Sequence, residues 1–458
     1  VLFHSLTFLV FFAVVYVVYL FVKDTRFRSL YLLVASYVFY GCWDPLYPLL
    51  IAYATTVDYL LVLAMARWHR KRLCLFLSVT NNLALLGFFK YGGFVTENLN
   101  ALLSGLGVAY VIPMPDLLLP VGISFFVFQS MSYTIDFYRG NVEKEPNFIR
   151  YATFVSLFPR LLAGPIERAR NLLPQLRQTP RVTTQDVTDG LSLFVVGLFK
   201  KVALADYLAT YVDEVYAVPD LYNAPALMLA TFAFAWQIYF DFSGYTDMAR
   251  GIARLMGIRI MLNFNNPYLA TGLGDFWNRW HISLSTWFRD YVYIPLGGNR
   301  KGEFRTYVNM CLTMVISGLW HGAQWTFVIW GALHALGRVF TRQLERTRFY
   351  RDRVPRWLKQ AFVFIFVSFC WIFFRAETFS DACLIVKRIL ISGFADPRCP
   401  LLMLGLVLLV WLYQFVYESR LRRVLELGVV RVVLVVSMLL YILLFAGSSS
   451  KAFIYFQF

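Results

Sequence analysis

Residues 2–22 read LFHSLTFLVFFAVVYVVYLFV, a run with no Asp, Glu, Lys or Arg that is closed by Lys23, Arg26 and Arg28. Coiled as a helix at 1.5 Å per residue, it reaches about 30 Å, the depth of a bilayer's hydrocarbon. Nothing basic precedes the run and no small-residue cleavage pattern follows it, so we expect a retained helix and not a removed leader. Similar runs recur at 29–42, 46–66, 73–89, 121–137, 187–218, 224–240, 307–319, 326–339, 361–374, 401–417 and 429–446. Together they predict an all-α polytopic membrane protein with roughly 11–12 transmembrane helices.

The composition agrees. Of 458 residues, 59% are hydrophobic and 15% charged, whereas soluble chains carry about 45–50% and about 25%. That excludes a disordered chain, a small disulfide-stapled scaffold and an ordinary soluble enzyme. A transmembrane barrel is excluded as well, because its segments alternate and run only about 10 residues. The cysteines Cys42, Cys74, Cys311, Cys370, Cys383 and Cys399 have no ligand spacing, so neither a disulfide framework nor a metal site is expected.

Lys and Arg number 43 against 27 Asp and Glu, a net charge of +16. In a membrane chain this excess belongs to loops facing anionic headgroups, not to nucleic acid. Basic clusters at 23–28, 67–72, 139–181 and 338–359 alternate with the stretch 91–138, which has no Lys or Arg. The pattern predicts an outside N-terminus, cytoplasmic basic loops and an outer loop over 91–120. From Tyr151 to Ile166 the apolar run is short and broken by Pro159 and Gly164-Pro165, which reads as re-entrant or interfacial. No repeat or soluble segment is visible. We expect one membrane domain over 1–458, with N-terminal helices at 1–138, a core at 139–340 and C-terminal helices at 341–458.

Polar residues at membrane depth are costly and therefore mark function. They concentrate after Trp236. His281, His321 and His334 are three of the five histidines, and half of the twelve tryptophans fall between Trp277 and Trp330. Trp277, Trp280, His281, Leu284 and Phe288 recur at helical spacing, which predicts a continuous amphipathic helix capped by Asp275. Its imidazole is either functional or merely buried and hydrogen-bonded. His321 ends an apolar run between Gly318 and Gly322, and small neighbours let a substrate or another backbone come close. An imidazole in a dry aromatic pocket stays neutral, as a general base must. A simple bond to a carbonyl between helices is the bland alternative. His334 is expected to pack, and His4 and His69 to sit at span ends.

Asp58, Asp136, Asp241 and Asp247 lie in or beside apolar runs. Asp241 and Asp247 flank Ser243-Gly244, where they either cap a broken helix or position a hydroxyl or cationic partner. The turn Leu296-Gly297-Gly298-Asn299-Arg300 is a candidate for meeting a phosphate. The chain has no P-loop, dinucleotide fingerprint, H-E-x-x-H or G-x-S-x-G element.

Two stretches carry a family likeness: DFWNRWHISLSTWFRDYVYIPLGGNR (275–300) and GLWHGAQWTFVIWG (318–331). QIYFDFSGYTDMA (237–249), FPRLLAGPIE (158–167), LFHSL (2–6) and WIFFRA (371–376) add to it. They resemble the bacterial membrane-bound O-acyltransferases, in the branch that acetylates alginate. The resemblance implies a helical disc with a central funnel, in the bacterial cytoplasmic (inner) membrane. It implies that His321 is catalytic and that His281 is a second catalytic position. Arg160 stands where the family likeness would place a neutral residue. No bound cofactor and no metal are implied. The donor would be acetyl-coenzyme A or another acyl thioester, and the acceptor an extracytoplasmic polysaccharide reached through an extracytoplasmic acetyltransferase partner. Membrane lipids surround the chain and nucleic acid is not a partner. Asp241, Trp277, Asn278 and Trp320 are expected to contact substrate. D-alanyl or peptidoglycan acyl transfer remains open within the family. Outside it, a transporter for a polysaccharide-linked lipid would show an inverted repeat and paired broken helices, and the sequence shows neither. A structural scaffold for secretion is the other alternative.

Overall fold

The computed structural model describes residues 2–68, 70–115, 119–162, 164–394, 400–445, 451, 453 and 454, so His69 and Cys399 lie outside the described residues. Among the described residues every regular element is helical and no strand occurs. The chain divides into two interleaved units, 1–194 with 248–261 and 195–247 with 262–458.

The first unit holds α1 (Leu6–Val22), α2 (Arg28–Gly41), α3 (Tyr47–Arg67), α4 (Lys71–Leu86), α5 (Gly92–Gly105), α6 (Ile123–Tyr138), α7 (Phe148–Ser156), α8 (Phe158–Leu161) and α9 (Ala169–Arg177). Ser5 starts α1 by accepting from the Phe8 N–H, and Asn147 starts α7 by accepting from Arg150 N–H, each satisfying a donor that the first turn leaves free. A π turn at Gly87–Tyr91 carries α4 on into α5. The expected outer loop over 91–120 is therefore helical as far as Gly105, because no proline interrupts it before Pro113. The broken reading of 151–166 holds: the backbone bends at Leu157, between α7 and α8. Asp58 is fully buried and accepts from Ser78 Oγ at 2.6 Å and Asn82 Nδ2 at 2.8 Å, with Ser130 as a third donor. It clasps α3 to α4 and α6. Arg160 is 4% exposed and lies over the Phe154 ring at 5.4 Å.

After α10 (Thr184–Phe199), the second unit continues with a π stretch, Lys200–Ala205, and α11 (Asp206–Ala217). Then come α12 (Ala224–Leu255), α13 (Leu273–Arg279), α14 (Ile282–Phe288), α15 (Gly302–His321), α16 (Trp325–Arg346), α17 (Arg356–Arg375), α18 (Phe379–Ile391), α19 (Leu401–Glu418), α20 (Arg422–Leu425) and α21 (Gly428–Phe445).

Among the described residues, five helical stretches are long and apolar enough to cross a membrane: Tyr47–Arg67, Lys71–Gly105, Ala224–Leu255, Arg356–Arg375 and Leu401–Glu418. Leu6–Val22 and Gly428–Leu444 are apolar but shorter. The remaining runs of the roughly 11–12 expected from apolar length are helical too, yet they are short or polar. The 14 residues of α2 reach only about 21 Å, and α16 carries Arg338, Arg342 and Arg346 in its second half. This overturns the loop expected at 338–359: α16 continues to Arg346 and α17 begins at Arg356. A like-signed face does not stop a helix whose other face packs.

Two further expectations are corrected. The helix through 237–249 is unbroken, so Asp241 and Asp247 cap nothing. Gly244 serves close approach instead, since a Cβ there would stand 2.7 Å from the Gly197 carbonyl oxygen. The helix read through 275–288 is broken at His281, which adopts a left-handed backbone with φ 41°. Asp275 is not its cap but lies inside α13, where it accepts from Thr271 N–H at 3.1 Å and Arg279 Nε at 2.7 Å.

Candidate active site

Helices α15 and α16 form the frame. A Cβ on Gly318 would come within 2.2 Å of the Phe327 carbonyl oxygen, and one on Gly331 within 2.4 Å of the Met314 carbonyl oxygen. These pairings (318 with 327, 314 with 331) make an antiparallel hairpin whose backbones touch. Glycine is needed at both positions because no side chain fits.

His321 is the last residue of α15, so the hairpin end holds it. It is 4% exposed. Its ring lies among Trp320 (4.9 Å between centroids), Trp330 (5.1 Å) and Phe374 (5.3 Å). Gly322 leaves room for the Phe327 ring, which a Cβ would meet at 2.1 Å. The sequence-based expectation of a glycine-flanked imidazole in an aromatic pocket therefore describes its surroundings.

His281 is fully buried between α13 and α14. Its φ of 41° is uncommon for a residue with a side chain, and Asn263 compensates. Asn263 Oδ1 accepts from Ser283 N–H at 3.1 Å and from Ser283 Oγ at 2.9 Å, and faces His281 Nδ1 at 3.2 Å. Because a backbone N–H can only donate, the Asn263 atom facing it is oxygen. His281 Nδ1 then carries the proton and donates, which leaves the lone pair on Nε2. Burial pushes the His281 imidazolium down to about 3, so the ring is neutral at ordinary pH. Its neighbours are Phe242 (4.7 Å) and Trp320 (6.2 Å). Trp320 thus touches both histidines, which is where the structure places that expected substrate contact.

A cavity of about 510 Å³ runs beside the hairpin. Trp277 and Asn278 line it, with Ser317 on α15, the arginines Arg289, Arg338 and Arg342, and the carboxylates Asp275 and Glu345, the last paired with Arg338 at 3.5 Å. Ser317 lies one turn before His321. Trp277 packs on Trp330 at 5.8 Å, and Trp330 packs on His321. One ring or one helical turn therefore separates the cavity from the imidazole. Asp241 lies elsewhere in this unit: it is 2% exposed, receives Lys201 Nζ at 2.7 Å and accepts from Ile454 N–H at 2.7 Å. Lys201 also bridges Asp206 at 2.8 Å. The Gly297-Gly298 turn is tied to α15, with Asn309 Nδ2 donating to the Gly298 carbonyl at 2.9 Å.

Sequence reasoning missed Asn263, Trp330, Arg338 and Arg342. The spacing of Trp330, His334, Arg338 and Arg342, each four residues apart on one helix face, was the signal available for the last three. Asn263 had none, since it acts on residues eighteen and twenty positions later.

Imidazoles held at helix ends, one of them kept neutral by burial, next to a cavity that three arginines help to line, suit transfer of a group under acid–base control. The chain belongs to the membrane-bound O-acyltransferase family, whose description matches residues 114–379 and so includes both histidines and every residue lining the cavity. It is 42% identical over 387 residues to the probable alginate O-acetylase AlgI of Azotobacter vinelandii, covering 83% of this chain and 76% of that protein. It is 43% identical over 380 residues to the probable alginate O-acetylase AlgI of Pseudomonas putida (82% and 77%). The peptidoglycan O-acetyltransferase of Helicobacter pylori is 35% identical over 395 residues (80% and 74%). The protein is a multi-pass membrane-bound O-acyltransferase.

Proposed function

We propose that the chain takes an acetyl group from cytosolic acetyl-coenzyme A and passes it to hydroxyls of an alginate-like extracytoplasmic polysaccharide, through an extracytoplasmic partner and from the bacterial inner membrane. The observation that carries this reading is the placement of His321: nearly sealed among aromatic rings, one turn from a cavity bordered by three arginines. Guanidinium groups suit the phosphates of a coenzyme A donor. Their positions also suit its reach. Arg342 is twelve residues beyond Trp330 on α16, about 18 Å along the axis, and the pantetheine arm extends roughly 15 Å from sulfur to phosphate.

In the step proposed, a lone pair of neutral His321 takes the proton of the attacking hydroxyl as its oxygen bonds to the acyl carbon. The C–S bond breaks and the thiolate leaves with that proton. His281, with its Nε2 lone pair free of a proton, orients the donor or stabilises charge. The alginate names of the relatives support the polysaccharide acceptor; the peptidoglycan relative keeps a wall glycan as the second reading. The test is His321→Gln and His321→Ala in membranes, following acetyl release from the thioester. Loss of turnover is expected. Wild-type turnover would remove His321 from the mechanism, and a mass-spectrometric shift on the histidine would replace proton abstraction by transient acylation.

A further inference from the structure

A second cavity, of about 260 Å³, lies in the first unit at the end of α12. Arg250, Arg254 and Arg259 line it together with Leu193, Ile258 and Ile260. The acyl transfer proposed above uses none of them. Arg250 and Arg254 are four apart on α12 and share a face. Leu193 comes from α10, which meets α12 backbone to backbone: a Cβ on Gly251 would stand 2.6 Å from the Gly190 carbonyl oxygen. Arg259 is carried by the loop after α12. Its N–H donates to Gln175 Oε1 at 2.8 Å and its carbonyl accepts from Gln175 Nε2 at 3.0 Å, so α9 holds the loop in place. On α1, the hydroxyls of Tyr16 and Tyr19 donate to the Leu255 and Met256 carbonyls at 3.2 and 2.7 Å and anchor the helix end.

The nearby carboxylates do not fill it. Arg254 reaches Asp189 at 2.7 Å and Asp186 at 3.3 Å, and Arg259 reaches Asp186 only at 3.6 Å. Asp186 also serves the start of α10, where its other oxygen accepts from Thr183 N–H at 3.1 Å and Thr183 Oγ1 at 2.8 Å. One carboxylate oxygen is thus divided between two guanidiniums, and neither Asp186 nor Asp189 lines the cavity. The negative end of α12 and these two carboxylates account for Arg254. They do not account for a space that three guanidiniums share. A water's share of liquid volume is about 30 Å³, so the space exceeds a bound water or two.

The wall defines what fits. Guanidiniums present planar forks of N–H donors that match the oxygens of a phosphate. The rest of the wall is aliphatic, which suits a carbon chain and not a hydrated free anion. An amphiphile meets both demands, with its phosphate on the arginines and its chains starting along Leu193, Ile258 and Ile260. The location agrees. The helix α12 is long and apolar enough to cross a membrane, and Arg250 and Arg254 occupy its last two turns, where headgroups begin. The α9 helix tied to the loop lies in the basic stretch 139–181, expected to face the cytoplasm, whose leaflet is anionic.

We infer that this cavity is a site for the phosphate of an anionic membrane lipid. The inference does not depend on the acyl transfer proposed above. The test uses the full chain in a neutral detergent and three probes: dioctanoyl phosphatidylglycerol, uncharged dioctanoylglycerol and inorganic phosphate. Binding is read as a saturable rise in Tm, which yields Kd. Phosphatidylglycerol should bind, with dioctanoylglycerol and inorganic phosphate each at least about tenfold weaker. An arginine near a lipid phosphate is worth about fivefold in affinity. Arg259→Gln, at a side chain 78% exposed, should therefore weaken phosphatidylglycerol about fivefold, and adding Arg250→Gln should weaken it further. The single variant keeps the test open should the pair fail to fold. Arg423→Gln, at an exposed arginine on α20 outside the cavity, should leave Kd unchanged. Unchanged binding in Arg259→Gln and in the pair overturns the site. So does an equal loss in Arg423→Gln, which would make binding a matter of general surface charge. Inorganic phosphate or dioctanoylglycerol binding as tightly as phosphatidylglycerol overturns it too, in favour of a soluble anion or of a purely apolar cleft.

Discussion

Replacing Gly331 by alanine should separate α15 from α16. The added Cβ would stand 2.4 Å from the Met314 carbonyl oxygen and 3.0 Å from both the Met314 carbonyl carbon and Val315 Cα, whereas ordinary contact begins at about 3.4 Å. All three atoms are backbone, so no side chain can swing away. The helices must part by roughly 1 Å or bend. Overpacking of this kind costs about 1–3 kcal/mol. The better helix propensity of alanine returns at most about 1 kcal/mol, and the net effect is a lowered Tm. The effect on activity should be larger, because Trp330, the neighbour of Gly331 in sequence, walls the His321 ring. A 1 Å displacement of catalytic geometry costs on the order of 100-fold in rate. The comparison is Gly405→Ala, also within a helix but with nothing within 4 Å of its Cβ, which should raise Tm slightly and leave acetyl transfer alone. Both variants would be purified in one detergent, melted, and assayed for thioester turnover. If Gly331→Ala behaves like Gly405→Ala in both measurements, the backbone-to-backbone hairpin is not what positions His321.

Four further outcomes are expected. Asn263→Ala should lower Tm by leaving Ser283 N–H and His281 Nδ1 unmade, about 1–3 kcal/mol of destabilisation. Asn263→Asp should instead hold His281 protonated beside a carboxylate, so its activity should recover only at higher pH, as a pH–rate profile would show. Stability should fall in acid through His281: its folded value near 3 lies below the ordinary value of about 6.5, so below about 6.5 the unfolded chain gains a proton that the folded chain refuses. That stabilisation is complete above about 6.5 and is lost progressively as pH falls toward 3; Tm between pH 7 and 5 should slope less steeply in His281→Asn. Arg338→Gln with Arg342→Gln should raise KM for acetyl-coenzyme A several-fold with little change in kcat, and weaken its salt dependence. The same pair should leave KM unchanged for S-acetyl-N-acetylcysteamine, which carries no phosphate.

How much of this the sequence discloses depends on the range of the interaction. His321 was legible because what defines its pocket is local: Gly318 and Gly322 flank it, Trp320 precedes it, and Trp330 is on the next helix. The all-helical membrane fold was legible for the same reason, since apolar runs declare themselves within twenty residues. His281 was legible as a residue but not as a geometry. Its helical spacing with Trp277 and Leu284 is real, and the break comes from Asn263, whose oxygen gathers Ser283 and His281. Arg338 and Arg342 were placed in a loop because charge counts against a span, although a helix lining a cavity needs no lipid. Asp241 was read either as a local cap or as a partner for a cation; it is the second, and its partners, Lys201 and Ile454, stand 40 and 213 positions away.

These distant contacts make the site rigid where its backbone is least comfortable. A left-handed residue with a side chain costs roughly 1–2 kcal/mol, and His281 bears that strain while fully buried. It persists because Asn263 over-determines the loop: with one oxygen it takes up Ser283 N–H, Ser283 Oγ–H and the imidazole N–H, so the strained backbone and the tautomer are fixed by the same atom. A glutamine at 263 could offer the same oxygen, but from one methylene further out, and would have to push His281 toward Phe242, whose ring is already 4.7 Å away. Asn263→Gln should therefore lose activity although every hydrogen-bonding group is kept. That result separates a requirement for position from a requirement for polarity. If the glutamine variant turns over acetyl thioester like the wild type, His281 does not need the placement that its strained backbone secures.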